Sequence, residues 1–152
     1  MVEYKTVISQ FRIISEPINL KRVKLSKSSE VREYTIKLFE CNLDDINVVE
    51  CVYVITVNNA NNVTGFMKLS QGSITASIVD LRVLFKFVID SLSSSFFLVH
   101  NHPSGKNYPS DSDIELTKKI NEASKILGVN FLDHIIITEE SYYSFADETS
   151  YL

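Results

Sequence analysis

The stretch His100 to Asp113, HNHPSGKNYPSDSD, gathers most of the chemistry-bearing side chains that this sequence places close together. Two histidines stand two apart directly after the apolar run SFFLV, and a Pro-Ser-Gly turn leads to Ser110 and Asp113. In an extended strand alternate side chains share a face, so His100 and His102 project to the same side and their imidazoles can converge. Neutral imidazole is a good ligand for Zn²⁺, and a catalytic zinc site uses three protein ligands with the fourth position left to water. Asp113, in the first turn of the next helix, is the natural third ligand, and Ser110 would face the same point. The same serine and aspartate also read as a capping box, in which Ser110 is the N-cap and Asp113 the N3 residue. A capping box alone does not call for histidines at the end of the preceding strand.

The elements that must position these groups follow from periodicity. VVECVYVITVNN is rich in β-branched residues and ends on the turn-forming NNANN, which marks a strand with VTGFMKLSQG as its hairpin partner. SFFLV is a buried strand, NFLDHIIIT a further strand, and SYYSFADE a terminal hairpin or edge strand. KRVKLS alternates as a short strand, and residues 2–14 read as one or two more. Three helices are expected. The first is capped by Ser28 or Ser29 with Val31, Tyr34, Thr35, Leu38 and Phe39 inward. The second opens at Ser77 or Asp80 with Leu81, Leu84, Phe85, Val88 and Ile89 inward. The third opens at Ser110 with Ile114, Thr117, Ile120, Ala123 and Leu127 inward, and Gly128 ends it. Strands and helices alternate irregularly, with hairpins among them, as in a layered α/β or α+β sheet.

Composition narrows the class. The chain of 152 residues is long enough for one domain with a real core, and 45% hydrophobic with 22% charged residues is ordinary for a soluble protein. No apolar run reaches membrane-spanning length, and the first residues show no basic region followed by an apolar stretch, so neither a transmembrane helix nor a signal peptide is expected. Cys41 and Cys51 make no disulfide framework; a reducing cytoplasm and two buried thiols are expected. A net charge of −4 argues against a broad nucleic-acid surface, and the basic patch Asn19 to Lys27 reads as a solvated strand face.

Taken together, H-x-H-x7-S-x-x-D resembles the metal-binding signature of the JAB1/MPN/Mov34 (JAMM) metalloenzymes. The longer string LVHNHPSG…PSDSDIELT, followed by LDHIII and YYSF, is similar to the RadC-like branch of that family over roughly residues 28–148. The resemblance implies an α/β, cytidine-deaminase-like fold with a curved mixed sheet flanked by helices. It divides the chain into an N-terminal strand extension, residues 1–27, and a RadC-like domain, residues 28–152. It implies zinc on His100, His102 and Asp113, with Ser110 stabilising an oxyanion. The family also uses an upstream glutamate as general base. Of Glu3, Glu16, Glu30, Glu33, Glu40 and Glu50, only Glu50 enters the strong strand, and it would take a proton from the zinc water and hand it to a leaving amine. The contiguous letters HNH give no support to an HNH nuclease, whose name describes residues far apart in sequence.

The implied activity is zinc-dependent hydrolysis of a peptide or isopeptide bond in a peptide or protein substrate. The alternatives are a non-catalytic interaction module and a DNA-repair-associated role. RadC-like chains often carry an N-terminal helix-hairpin-helix; no such G-x-G signal occurs here, so weak or no direct nucleic-acid binding is expected, and no membrane association. The oligomeric state stays open, a homodimer included. His134, after Asp133 in LDHIII, is expected to make structural hydrogen bonds rather than to support the site from beside its ligands; Arg82 a helix-surface or sheet-capping ion pair rather than a substrate clamp; and Asn101, facing away from the histidines, to fix a turn.

Overall fold

A computed structural model describes residues 23–42, 44–72 and 79–152. Its elements are α1 (Ser28–Cys41), β1 (Cys51–Val57), β2 (Val63–Gln71), α2 (Leu81–Asp90), β3 (Ser95–Asn101), α3 (Asp111–Leu127), β4 (Asn130–Ile137), β5 (Tyr142–Ser144) and α4 (Phe145–Glu148). Five strands form one mixed sheet in the order β2-β1-β3-β4-β5. β1 is antiparallel to both β2 and β3, β3 runs parallel to β4 through the α3 crossover, and β5 closes the far edge antiparallel to β4.

β1 and β3 are buried along their whole length, which their unbroken apolar runs require. Alternation then divides their side chains between two cores. Tyr53, Ile55, Val57, Phe97, Val99, Ile135 and Ile137 pack with Val31, Tyr34, Leu38 and Phe39 of α1. Val52, Val54, Phe96, Leu98 and Phe131 pack on the other side with Leu84, Phe85 and Val88 of α2 and Ile120 of α3. The sheet is thus flanked by helices on both faces, the mixed α/β architecture expected.

The inward face of α1 matches the sequence reading residue for residue. Its start does not. Helical structure begins at Ser28, the hydroxyl of which donates instead to Asp147 Oδ2 at 2.8 Å, while the main-chain N–H groups of Ser26 and Lys27 donate to Glu30. Asp80 is the N-cap of α2, accepting from the Arg82 N–H at 2.9 Å. Two expected core residues face solvent: Ile89 is 50% and Leu127 45% exposed, each in the last turn of its helix. Cys51 is buried as expected, but Cys41 is exposed at the end of α1. Within KRVKLS, residues 23–26 form no strand and make a single bridge, Lys24 to Asn62; residues 2–14, and residues 19–22 of the Asn19 to Lys27 patch, lie outside the described residues. SYYSFADE splits into a three-residue edge strand and the short helix α4, because Ser144 accepts from the Asp147 N–H and starts a new turn. Among the described residues no helix is long and apolar enough to cross a membrane.

Candidate metal centre

Three elements meet at one point. β3 carries His100 next to its last residue, the loop after it carries His102, and the first turn of α3 carries Asp113. Val52 and His100 are partners on the β1–β3 ladder, so His100 continues the face on which Val52, Phe96 and Leu98 pack toward the α2–α3 side. The His102 N–H bonds the Ile137 carbonyl at 3.0 Å, which holds the chain extended past the end of β3 and keeps the second imidazole on that face. Nε2 of His100 and Nε2 of His102 lie 2.9 Å apart. Asp113 Oδ1 is 3.3 Å from the first and Oδ2 3.6 Å from the second. One ligand atom from each residue falls within 4.8 Å of the others.

Ser110 and Asp113 form the capping box as well. Ser110 Oγ accepts from the Asp113 N–H at 3.2 Å, and both the N–H and the hydroxyl of Ser110 donate to Asp113 Oδ2, at 2.7 and 2.6 Å. The structural and the chemical readings of this pair therefore coexist. The cap clamps the carboxylate through Oδ2, and the clamped carboxylate keeps Oδ1 turned to His100.

Glu50 stands just before β1. The β1–β3 ladder ends at Val52↔His100; continued by two residues on each strand it would set Glu50 opposite His102, and Glu50 is half-buried with its charge felt by the His102 ring. The loop bearing it is tied down by Asn101, whose Nδ2 donates to the carbonyls of Ile46 at 2.7 Å and Val49 at 2.8 Å, while its Oδ1 accepts from the Cys51 N–H at 2.7 Å. The residue between the two histidines thus anchors the turn that leads to Glu50. Asn101→Ala would strip three partners from a fully buried position and should lower stability by about 2–4 kcal/mol. Urea denaturation checks this; a loss under about 1 kcal/mol would mean that water replaces the amide.

His134 lies behind the site and is fully buried. Its Nε2 meets His100 Nδ1 at 2.9 Å, its Nδ1 meets Thr117 Oγ1 at 2.6 Å, and its ring stacks on Phe145 at 4.9 Å. Its neighbour Asp133 faces the opposite core, where its carboxylate accepts from the Ser144 hydroxyl and the Ala146 N–H. Arg82, 91% exposed, pairs with Asp80 on the α2 surface, far in kind from a substrate clamp.

The pattern of the family described as RadC-like JAB domain matches residues 25–150. The chain belongs to the RadC-like JAB domain family. Relatives share the name UPF0758 protein: one from Flavobacterium johnsoniae is 48% identical over 63% of this chain and 42% of its own length. One from Alkaliphilus metalliredigens is 37% identical over 83% and 57%, and one from Streptococcus sanguinis 30% identical over 97% and 63%. The chain spans about half the length of the curated relatives it matches.

The donor set of this RadC-like domain suits a divalent metal. Nδ1 of His102 faces the Lys106 carbonyl at 2.8 Å, so it must carry a hydrogen and donate, which leaves Nε2 with its lone pair toward the cluster. Two imidazole nitrogens 2.9 Å apart, beside a carboxylate, need a proton or a metal ion between them. Tetrahedral zinc with bonds near 2.0–2.1 Å to nitrogen would set them roughly 3.3 Å apart, so the rings need to part by only a few tenths of an ångström.

Electrostatics point the same way. Burial works against the charge on Asp113, but the two imidazoles and the Ser110 hydroxyl outweigh it and hold the carboxyl well below the usual range. Burial also opposes a charged His102, yet Asp113, the Lys106 carbonyl and the Glu50 field together raise its pKa above 6.5. His134 is pushed well below 6.5, first by burial and then by His100, and stays neutral. A proton on His102 Nε2 competes with a metal for the same lone pair. Below the raised pKa the bare ring becomes tenfold scarcer with each unit of pH. Zinc affinity should therefore climb about tenfold per unit as the pH rises toward that raised pKa, and level off above it. Competition against a chromophoric chelator measures this; a flat profile would remove His102 from the ligand set.

Thr117 is the group whose part the sequence did not disclose. On sequence it belongs only to the inward face of α3. The signal was there in its spacing, one helical turn past Asp113 on an otherwise apolar face.

Proposed function

We propose that this domain is a zinc-dependent hydrolase that cleaves an amide bond, peptide or isopeptide, in a peptide or protein. The observation that supports it most is the convergence of His100, His102 and Asp113, with the charge of Glu50 acting on the His102 ring. The ligand types, two imidazoles and one carboxylate, are those of catalytic rather than closed structural zinc sites. Zinc held there would supply a Lewis acid that lowers the pKa of water and polarises a carbonyl. The chain's own residues supply the rest. Glu50 accepts the water proton on its carboxylate and passes it to the departing amine nitrogen. Ser110, exposed at the rim of the cluster, offers its hydroxyl to the substrate carbonyl oxygen as that atom gains charge. Asn101 holds the Glu50 turn in place.

One observation favours a second reading. The Ser110 hydroxyl is already engaged by Asp113 within the capping box, which a non-catalytic interaction module would also need. A DNA-processing role has less support, since the chain carries a net charge of −4. We place the protein in the cytoplasm, acting on peptide or protein partners, with weak or no direct binding of nucleic acid.

The test compares zinc-loaded protein with Glu50→Gln on a whole proteome, reading new N-termini and newly freed lysine amines. Products from the first that are missing with the second support the hydrolase. Equal, background-level products from both would favour the interaction module.

A further inference from the structure

We propose that Thr117 and His134 are positioning residues that lock His100 in the one tautomer able to present Nε2 to a metal. The inference rests on the metal-site reading above and adds two residues that touch no ligand position themselves.

The argument is a proton count along one buried chain of contacts. Thr117 Oγ1 lies 2.6 Å from the main-chain carbonyl of Asp113 and 2.6 Å from His134 Nδ1. A carbonyl oxygen only accepts, so the hydroxyl hydrogen must point to Asp113; otherwise two oxygens would sit 2.6 Å apart with no hydrogen between them. Thr117 Oγ1 then has only a lone pair for His134, and Nδ1 of His134 must carry a hydrogen. His134 has no exposed surface, lies flat against Phe145 and has no carboxylate among the described residues in hydrogen-bond contact, so its ring is neutral and Nε2 is bare. That bare nitrogen is 2.9 Å from His100 Nδ1, which must therefore be the donor. A neutral His100 with hydrogen on Nδ1 has its lone pair on Nε2, the atom beside His102 and Asp113.

The opposite polarity has the opposite consequence. Were Thr117 to donate to His134, each hydrogen would move one place along, and His100 Nε2 would carry a hydrogen aimed into the cluster, where no metal could bind. The carbonyl that decides between the two belongs to Asp113, the residue whose carboxylate completes the donor set. One turn of α3 thus sets both the third ligand and, through two buried side chains, the tautomer of the first. A hydrogen bond to the remote nitrogen of a metal-bound histidine fixes ring orientation and basicity, and its loss typically weakens metal binding 10–100-fold.

The test is nitrogen-15 NMR of the histidine rings in metal-free protein, together with zinc affinity by chelator competition. It uses wild type, Thr117→Val, which keeps shape but removes the acceptor, and Thr117→Ser, which restores it. The wild type should show His100 with hydrogen on Nδ1 and a bare Nε2. Thr117→Val should shift that ring toward the other tautomer and lose about 10–100-fold in zinc affinity, with Thr117→Ser recovering both. Hydrogen on His100 Nε2 in neutral wild-type rings would overturn the proposal, and this holds even if Thr117→Val does not fold. So would a Thr117→Val protein that keeps the tautomer, whether or not its affinity falls, because the threonine would then serve packing alone. Since the tautomer is read without metal, failure of zinc to bind would count against the metal site and leave the relay itself standing.

Discussion

Glu50→Gln should keep zinc and fold while lowering turnover by about 10²–10⁴-fold, the usual scale of general-base catalysis. The substitution is nearly isosteric and removes only the group that can accept a proton. Glu50 contributes no ligand to the cluster, so metal content should not change. Its place is set by backbone: it stands two residues before the last pair of the β1–β3 ladder, Val52↔His100, and Asn101 holds the turn from Ile46 to Cys51. A carboxylate fixed in this way can take a proton without displacing a ligand. Once the amide substrate is in hand, kinetics of the two proteins at equal zinc occupancy make the comparison. Retained turnover in Glu50→Gln would assign the base to another group.

The second large effect is on the metal. Wild-type protein should hold about one zinc per chain, and His100→Ala combined with His102→Ala should hold none. Losing two of three ligands leaves Asp113 alone, and one carboxylate does not retain zinc against a chelator. The fold should survive. Its two cores pack on both faces of the sheet and do not depend on the site, unlike a small zinc finger. The double variant does leave His134 Nε2 without its partner, at a cost of about 1–3 kcal/mol. Zinc analysis with circular dichroism, the latter also on chelator-treated wild type, reads both expectations. Full zinc content in the double variant would remove the site, and unfolding on chelation alone would make the metal structural.

What the sequence disclosed, and what it did not, follows from the range of the forces involved. The shared face of His100 and His102 is a consequence of strand alternation, a local rule. The position of Asp113 in the first turn of α3 follows from the cap that Ser110 makes, also local. Glu50 was legible as the acid at the mouth of the strongest strand, but its nearness to His102 needed the pairing of β1 with β3, which sequence alone does not state. The function of Thr117 depended on which residue of β4 lies beneath α3, and periodicity marks only that the side chain faces inward. Ile89 and Leu127 carry the right period for the core, yet each falls in the last turn of its helix and is exposed. α4 was hidden because YYSF reads as strand until Ser144 turns its hydroxyl to cap the next residues.

The central claim is that His100, His102 and Asp113 hold one catalytic zinc with a position left open for water. Crystallography of the zinc-loaded protein, with anomalous scattering at the zinc edge, tests it most directly. One peak should lie between the two Nε2 atoms and Asp113, about 2.0–2.2 Å from each ligand atom, with a water as fourth ligand within hydrogen-bond reach of Glu50. A peak elsewhere, or a fourth position closed by a protein side chain, would contradict the account.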